Sequence, residues 1–267
     1  MVKNLKLNGT DIGTKAEWTQ YTDTNNIGAT NVQGAIDYLV ENGGGSGVSS
    51  VSYPLANKKF GIIGDSFTAG GGWISSMGVV LRAGARKNEA VSGGAWWGNN
   101  SLSAYTQAQK LRASFTADGI EPDYILVVLG TNDFANHRDL GSIVSSDVIS
   151  NFDFNTFTGG AQATLTYLKK NFPTAIIKIG WTPAGQIHGD TYSGISTYVE
   201  RLKELAYIYG CQYIDTLAMG ISPTITEDKE TYSGSVTNGV WSGTGHPSSA
   251  GQTRIGEYMA RLLLSNL

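Results

Sequence analysis

The chain has one cysteine, Cys211, so no intramolecular disulfide framework is available to it. That residue precedes a short apolar stretch and reads as a buried structural thiol. Charge is also scarce: 15% of the 267 residues are Asp, Glu, Lys or Arg, and the formal net charge is -3. There is no basic stripe, which argues against nucleic acid or an anionic membrane surface as a partner. No apolar run is long enough to span a bilayer, and Met1-Val2-Lys3-Asn4-Leu5-Lys6 lacks the apolar core of a signal peptide, so none is expected. The three histidines, His137, His188 and His246, are widely separated and offer no i,i+4 metal pair. No glycine loop matches a P-loop or dinucleotide pattern, so neither metal nor cofactor is expected. A Gly-x-Ser-x-Gly elbow is missing as well, which argues against the α/β-hydrolase fold.

What the chain does have is glycine, 35 residues of it, and a 40% hydrophobic fraction ample for a core. Residues 42–50, Asn-Gly-Gly-Gly-Ser-Gly-Val-Ser-Ser, read as a flexible linker. The expected division is a small segment over 1–48 and a large domain over 49–267. Within the small segment, Val32, Ile36 and Leu39 share one helical face, with Asn31 a suitable N-cap. A helix this short is marginal alone. Its apolar stripe needs either the main domain or further copies of itself as a partner.

Beyond the linker, strand-like and helical patterns alternate. Strand-like runs are Phe60–Ile63, Glu89–Ser92, Tyr124–Leu129, Ala175–Trp181 and Gln212–Ile214. Between them Trp73, Met77, Val80 and Leu81 share one helical face, as do Leu102, Tyr105 and Ala108. A third helix is expected over Thr158–Lys170, and a fourth carries Ile195, Tyr198, Val199, Leu202, Leu205 and Ala206, with Gly210 as its stop. Ile255, Tyr258, Met259, Leu262 and Leu263 mark the last. Strict alternation predicts an α/β fold, a three-layer α/β/α sandwich around a five-stranded parallel sheet. The flavodoxin-like order 2-1-3-4-5 is the commonest for five strands.

That order places the first strand between the second and third, whose carboxyl ends form the crevice where ligands bind. The first strand ends at Gly64-Asp65-Ser66, the second at Gly93-Gly94 and the third at Gly130-Thr131-Asn132-Asp133. A hydroxyl, a glycine amide and a carboxamide thus converge, as acyl transfer requires of a nucleophile and N–H donors for a developing oxyanion. Far downstream, Gly245-His246-Pro247-Ser248-Ser249-Ala250-Gly251 brings a histidine just before the last helix.

Four blocks in this order resemble the SGNH (GDSL) hydrolase superfamily: Gly64-Asp65-Ser66, Asn88-Glu89-Ala90-Val91-Ser92-Gly93, Gly130-Thr131-Asn132-Asp133 and His246-Pro247-Ser248-Ser249-Ala250-Gly251. The resemblance implies Ser66 as nucleophile and His246 as general base, then general acid. It implies an oxyanion hole made of the Ser66 N–H, the Gly93 N–H and the Asn132 side-chain amide. Gly94 follows directly, so the glycine of block two could lie one position on.

One position departs from the family pattern. Where an Asp usually stands three residues before the histidine, this chain has Gly243. A backbone carbonyl near Ser242 could hold the imidazole instead, or an acid from elsewhere such as Glu227, Asp228 or Asp190. A third possibility is a lost activity with a retained pocket. The working dyad is the reading adopted.

Trp96 and Trp97 directly follow the oxyanion glycine, and Trp241 and Tyr192 lie in candidate rim loops. Exposed aromatics suit stacking on sugar faces, so these four are the candidate substrate-binding residues, with the loop Phe134–Phe157 as a further wall. A lipase more often has a longer apolar lid. The expected activity is therefore a carboxylic ester hydrolase that removes small acyl groups, acetyl above all, from a glycan. The alternatives are a lipolytic esterase or lysophospholipase with the same site, and a non-catalytic glycan-binding module.

The ten residues Thr30–Leu39 also resemble a short segment of bacteriophage tail and baseplate proteins. This implies a virion-associated protein, otherwise a cytoplasmic one, and a homo-oligomer, a trimer by preference, assembled through residues 1–48. Linked sites would raise avidity for a repetitive polymer. Deleting residues 1–48 is expected to give a folded monomer with full activity on small soluble esters, while the full chain self-associates at micromolar concentration. Light scattering on both proteins checks this, and a monomeric full-length chain refutes it.

Overall fold

The computed structural model describes residues 53–185, 192–222, 224–234 and 245–265, with the backbone of four two-residue strands elsewhere. The expected helix from Asn31, the glycine-rich stretch 42–50, His188, Asp190, Gly243 and the side chain of Trp241 lie outside the described residues. The chain falls into two compact units, Met1–Tyr53 and Pro54–Leu267. In the first, β1 (Lys6–Leu7) pairs antiparallel with β2 (Thr10–Asp11).

The second unit is an α/β sandwich. Its five strands are β3 (Phe60–Gly64), β4 (Arg86–Asn88), β5 (Tyr124–Val128), β6 (Ile176–Gly180) and β7 (Gln212–Tyr213). They lie in the order β4-β3-β5-β6-β7, every neighbour parallel. This is the expected 2-1-3-4-5 sheet. β3 and β5 sit centrally with both faces covered, and their sequences FGIIG and YILVV are correspondingly buried throughout. Side chains alternate across the sheet: Ile125 and Val127 enter one core, Tyr124, Leu126 and Val128 the other.

The first core is closed by α3 (Ala104–Ala117), α5 (Phe157–Asn171) and α6 (Tyr192–Ile208), the second by α2 (Gly72–Leu81) and α8 (Ser249–Ser265). Two short helices, α1 (Ser66–Ala69) and α4 (Thr131–Ala135), begin where β3 and β5 end. A third, α7 (Thr226–Tyr232), precedes a two-stranded antiparallel pair, β8 (Val236–Thr237) and β9 (Val240–Trp241). Polar side chains cap the helix starts: Asp65 accepts from Phe67 N–H, Ser103 from Thr106 N–H and Thr156 from Gly159 N–H. Gly210, at φ +58°, ends α6 as expected.

Three expectations need correction. The second strand is Arg86–Asn88, not Glu89–Ser92. It is a sheet edge, where apolar character is not required, so its polar sequence hid it. Glu89 and Val91 still donate to Ile62 O and Gly64 O at 3.0 and 3.2 Å while the chain leaves the sheet. Val80 is exposed, whereas Trp73, Met77 and Leu81 carry the buried face of α2. Leu102 is exposed ahead of α3 rather than on its buried face.

Candidate active site

β3 ends by handing the chain to Asp65 and Ser66. Asp65 is fully buried, accepts from Phe67 N–H at 3.0 Å, and takes a 2.5 Å hydrogen bond from the Thr182 hydroxyl. That same Thr182 oxygen accepts from Thr131 N–H at 3.1 Å. One side chain from the end of β6 thus ties the start of α1 to the start of α4. Ser66 is left half-buried, its Oγ 2.7 Å from His246 Nε2. Their sequence separation is 180 residues. The imidazole lies against the Phe67 ring, centroids 5.0 Å apart.

The histidine loop is clamped by α7. Gly234 N–H donates to His246 O at 2.8 Å, Ser248 N–H to Tyr232 O at 2.8 Å, and the Ser248 hydroxyl to Thr231 O at 2.7 Å. A Cβ on Gly251 would stand 2.2 Å from Tyr232 O, so only glycine lets α8 start this close to α7. Gln252 accepts from Trp73 N–H at 2.8 Å and donates to Phe67 O at 3.4 Å, which joins α8 to α2 and to the serine turn. Of the acids considered for the imidazole, Asp228 accepts from Ser222 N–H at 2.7 Å and Glu227 is exposed on α7.

Gly93 adopts φ +78°, a conformation that favours glycine. Its N–H meets no acceptor among the described residues, whereas Gly94 N–H is taken by Val91 O at 2.9 Å. Asn132 donates one amide hydrogen to Gly94 O at 2.9 Å and keeps the second without an acceptor among the described residues. Ser66 N–H, first in its helical turn, is also without one. A hydroxyl against an imidazole, beside three uncommitted N–H donors, can generate an alkoxide-like nucleophile and neutralise an oxyanion.

Asp133 holds this loop in place. It is fully buried and accepts from Trp96 N–H at 3.0 Å and Trp97 N–H at 3.1 Å. Burial pushes its carboxyl up to about 7 against those two hydrogen bonds, and the charge of Asp65 pushes the same way. Sequence reading quoted Asp133 without a role and missed Thr182 and Gln107. Buried Gln107 accepts from Gly64 N–H at 3.0 Å and donates to Leu102 O at 3.1 Å. Short polar residues facing a core give no periodic signal, so none of these is visible before the fold is known.

The aromatic residues divide. Trp96 is fully buried in the first core, with its Nε1–H on Leu129 O at 3.0 Å, which corrects its expected place on a substrate rim. Trp97 is half-buried, with the Arg138 guanidinium over its ring. Tyr192 is 63% exposed, and its electrostatic neighbours are Lys203 on α6 and Tyr213 on β7. β7 is the outer strand, three places from the β3 that leads to Ser66. Cys211 is half-buried, and burial pushes its thiol up to about 11, in keeping with a structural thiol. Among the described residues no group of His, Cys, Asp and Glu could hold a metal ion, and no helix is long and apolar enough to cross a membrane.

A serine and a histidine paired at the carboxyl edge of a parallel sheet are the layout of a hydrolase of the α/β/α sandwich class. The sequence profile of the GDSL-like lipase/acylhydrolase family matches residues 62–254, from β3 into α8, and the chain belongs to that family. A sequence search of curated proteins finds none that matches. Solved structures share the fold. A protein of Lactobacillus plantarum is 21% identical, with TM-score 0.58 over 79% of this chain and 99% of its own. A protein of Bacteroides ovatus described as a GDSL-like lipase is 17% identical, with TM-score 0.55 over 79% and 100%. The psychrotrophic esterase EstA of a Pseudoalteromonas species is 13% identical, with TM-score 0.50 over 78% and 97%.

The Asp133 carboxyl sets a pH dependence. An unfolded Asp ionises near 3.8 and the folded one at about 7, so between these values the folded state keeps a proton that the unfolded chain has lost. Stability therefore falls as pH rises from about 4 to about 7. Asp133→Asn keeps one acceptor, turns an N–H donor against a second N–H, and removes the titration. It is expected to lose roughly 1–3 kcal/mol of stability and to flatten that decline. Urea midpoints across the range check this; an unchanged slope would assign the dependence to another group.

Proposed function

We propose that the chain is a serine esterase that removes small acyl groups, acetyl in particular, from a glycan. The observation that carries this reading is the 2.7 Å Ser66–His246 contact beside three N–H donors without acceptors among the described residues.

Ser66 Oγ attacks the ester carbonyl carbon while His246 Nε2 takes its proton. The carbonyl oxygen becomes an oxyanion held by Ser66 N–H, Gly93 N–H and the second amide hydrogen of Asn132. Collapse breaks the bond to the alcohol oxygen, which leaves with the proton from His246. Water then attacks the acyl-serine and its proton passes to His246; collapse breaks the bond between the acyl carbon and Ser66 Oγ, which takes the proton back from His246 as the carboxylic acid departs. The commitment of Gly94 N–H to Val91 O supports Gly93 as the donor of its loop. Asn132 already holds Gly94 O, so its amide is oriented before substrate arrives, which lowers the reorganisation that the transition state requires.

A small acyl group is supported by the surroundings. Half-buried Trp97 follows Gly93 by four residues, and the segment between α4 and α5 is largely polar and exposed rather than an apolar lid.

Ser66→Ala is expected to abolish turnover of p-nitrophenyl acetate with little change in melting temperature, and a serine-directed phosphonate to label Ser66 alone. Asn132→Ala should lower kcat about 10²- to 10³-fold with little effect on KM. Acetate release from acetylated glycans, set against hydrolysis of long-chain esters, checks the substrate class. Preference for long chains overturns the glycan reading and leaves an esterase. Turnover that survives in Ser66→Ala overturns the nucleophile.

A further inference from the structure

Arg138, on the continuation of α4, is a cation without a hydrogen-bond or ion-pair partner for its side chain among the described residues. The Arg138 guanidinium carbon lies 3.5 Å from the centroid of the Trp97 ring. Its Nε is buried without a hydrogen-bond partner, and so is the indole Nε1 of Trp97. No carboxylate pairs with this arginine among the described residues. Arg112 and Arg201 are paired, Arg112 with Glu121 through two bonds of 2.7 and 2.6 Å, and Arg201 with Glu204 at 3.1 Å and the Thr158 hydroxyl at 2.7 Å; Arg254 also has a buried Nε without a partner, but no ring stacked on it among the described residues. A buried donor without an acceptor is costly, and here two such donors sit in one contact.

The backbone fixes the pair in place. Arg138 N–H donates to Asp133 O at 3.0 Å, and Arg138 O accepts from the Tyr198 hydroxyl at 2.5 Å. Trp97 N–H is on the Asp133 carboxylate. Asp133 follows Asn132, whose amide holds Gly94 O. Stacked cation and oxyanion donors therefore stand on the same two loops, α4 with its C-terminal continuation and the Gly93–Trp97 loop. The indole supports one face of the guanidinium, and no in-plane N–H of the fork has an acceptor among the described residues. A planar fork matches the two coplanar oxygens of a carboxylate better than a single point charge does.

We propose that Arg138 and Trp97 form a carboxylate-binding subsite, and that the acylated sugar this enzyme acts on is acidic, a uronate. The proposal rests on the esterase reading for its substrate. Its core, carboxylate recognition, does not need turnover. With a formal net charge of -3 the chain as a whole does not attract anions, so the recognition is local to this fork.

The test is a titration of intrinsic tryptophan fluorescence with D-galacturonate, with neutral D-galactose and inorganic sulfate as controls. Saturable binding of galacturonate is expected in the wild type, with galactose and sulfate far weaker. Arg138→Gln should weaken it roughly tenfold to a hundredfold, and Arg138→Lys, which keeps charge but not the fork, should fall between. Circular dichroism confirms that each variant is folded. In parallel, galacturonate should inhibit p-nitrophenyl acetate hydrolysis competitively in the wild type and not in Arg138→Gln. Equal galacturonate affinity in wild type and both variants overturns the proposal. Absence of saturation, or binding of galactose or sulfate as tight as galacturonate, does so too. Loss of ester turnover in the wild type with intact galacturonate binding overturns the esterase reading instead and leaves the subsite standing.

Discussion

The site depends on one buried carboxylate. Asp133 accepts the N–H groups of two consecutive residues, Trp96 and Trp97, from a loop that is itself neither strand nor helix. Two adjacent backbone donors directed at one acceptor set the path of that loop, and the loop carries Gly93 and Gly94. Burial works against this arrangement, since it pushes the carboxyl up to about 7. The two N–H donors oppose that shift, and the proton leaves only near neutral pH. Helix α4 thus does more than present Asn132: its next residue builds the opposite wall.

Close approach is the second requirement, and glycine meets it at the junctions. A Cβ on Gly94 would stand 2.4 Å from Gly64 O, and one on Gly130 would stand 2.5 Å from the Trp181 ring. Gly130 also adopts φ +148°, which side chains rarely take. Gly160 of α5 brings that helix against the backbone of Trp96, where a Cβ would meet the carbonyl at 2.2 Å. Strand ends, the Gly93–Trp97 loop and α5 can therefore pack at backbone distance. The Thr182 hydroxyl then bridges Asp65 and Thr131 N–H across the same junction.

Much of this was legible in the sequence because the central elements follow simple periodicities. β3, β5 and β6 are apolar runs, and α5, α6 and α8 carry regular stripes. Strict alternation implies a parallel sheet, the commonest five-strand order is the one found, and that order brings the strand ends of Ser66, Gly93 and Asn132 together. What escaped notice is what tertiary context alone decides. Arg86–Asn88 is a strand by virtue of its neighbour β3, not its own character. α7 buries none of its residues and has no stripe to read, yet it clamps the histidine loop. Gln107 and Thr182 are ordinary polar residues until a buried N–H or carboxylate is known to face them.

The Trp96–Trp97 pair shows how far adjacency misleads. Both amides point to the same carboxylate, but consecutive side chains diverge from a fixed backbone. Trp96 fills the core between α3 and α5 and donates to Leu129 O, so it acts on stability. Trp97 leaves the core and lies under Arg138. Because Asp133 fixes both backbones, a change at the Trp97–Arg138 stack need not disturb the donors at Gly93 or the packing of Trp96. The scaffold therefore separates the Trp97–Arg138 stack from the backbone that positions Gly93 and Asn132, though the two lie within a few residues of each other in sequence.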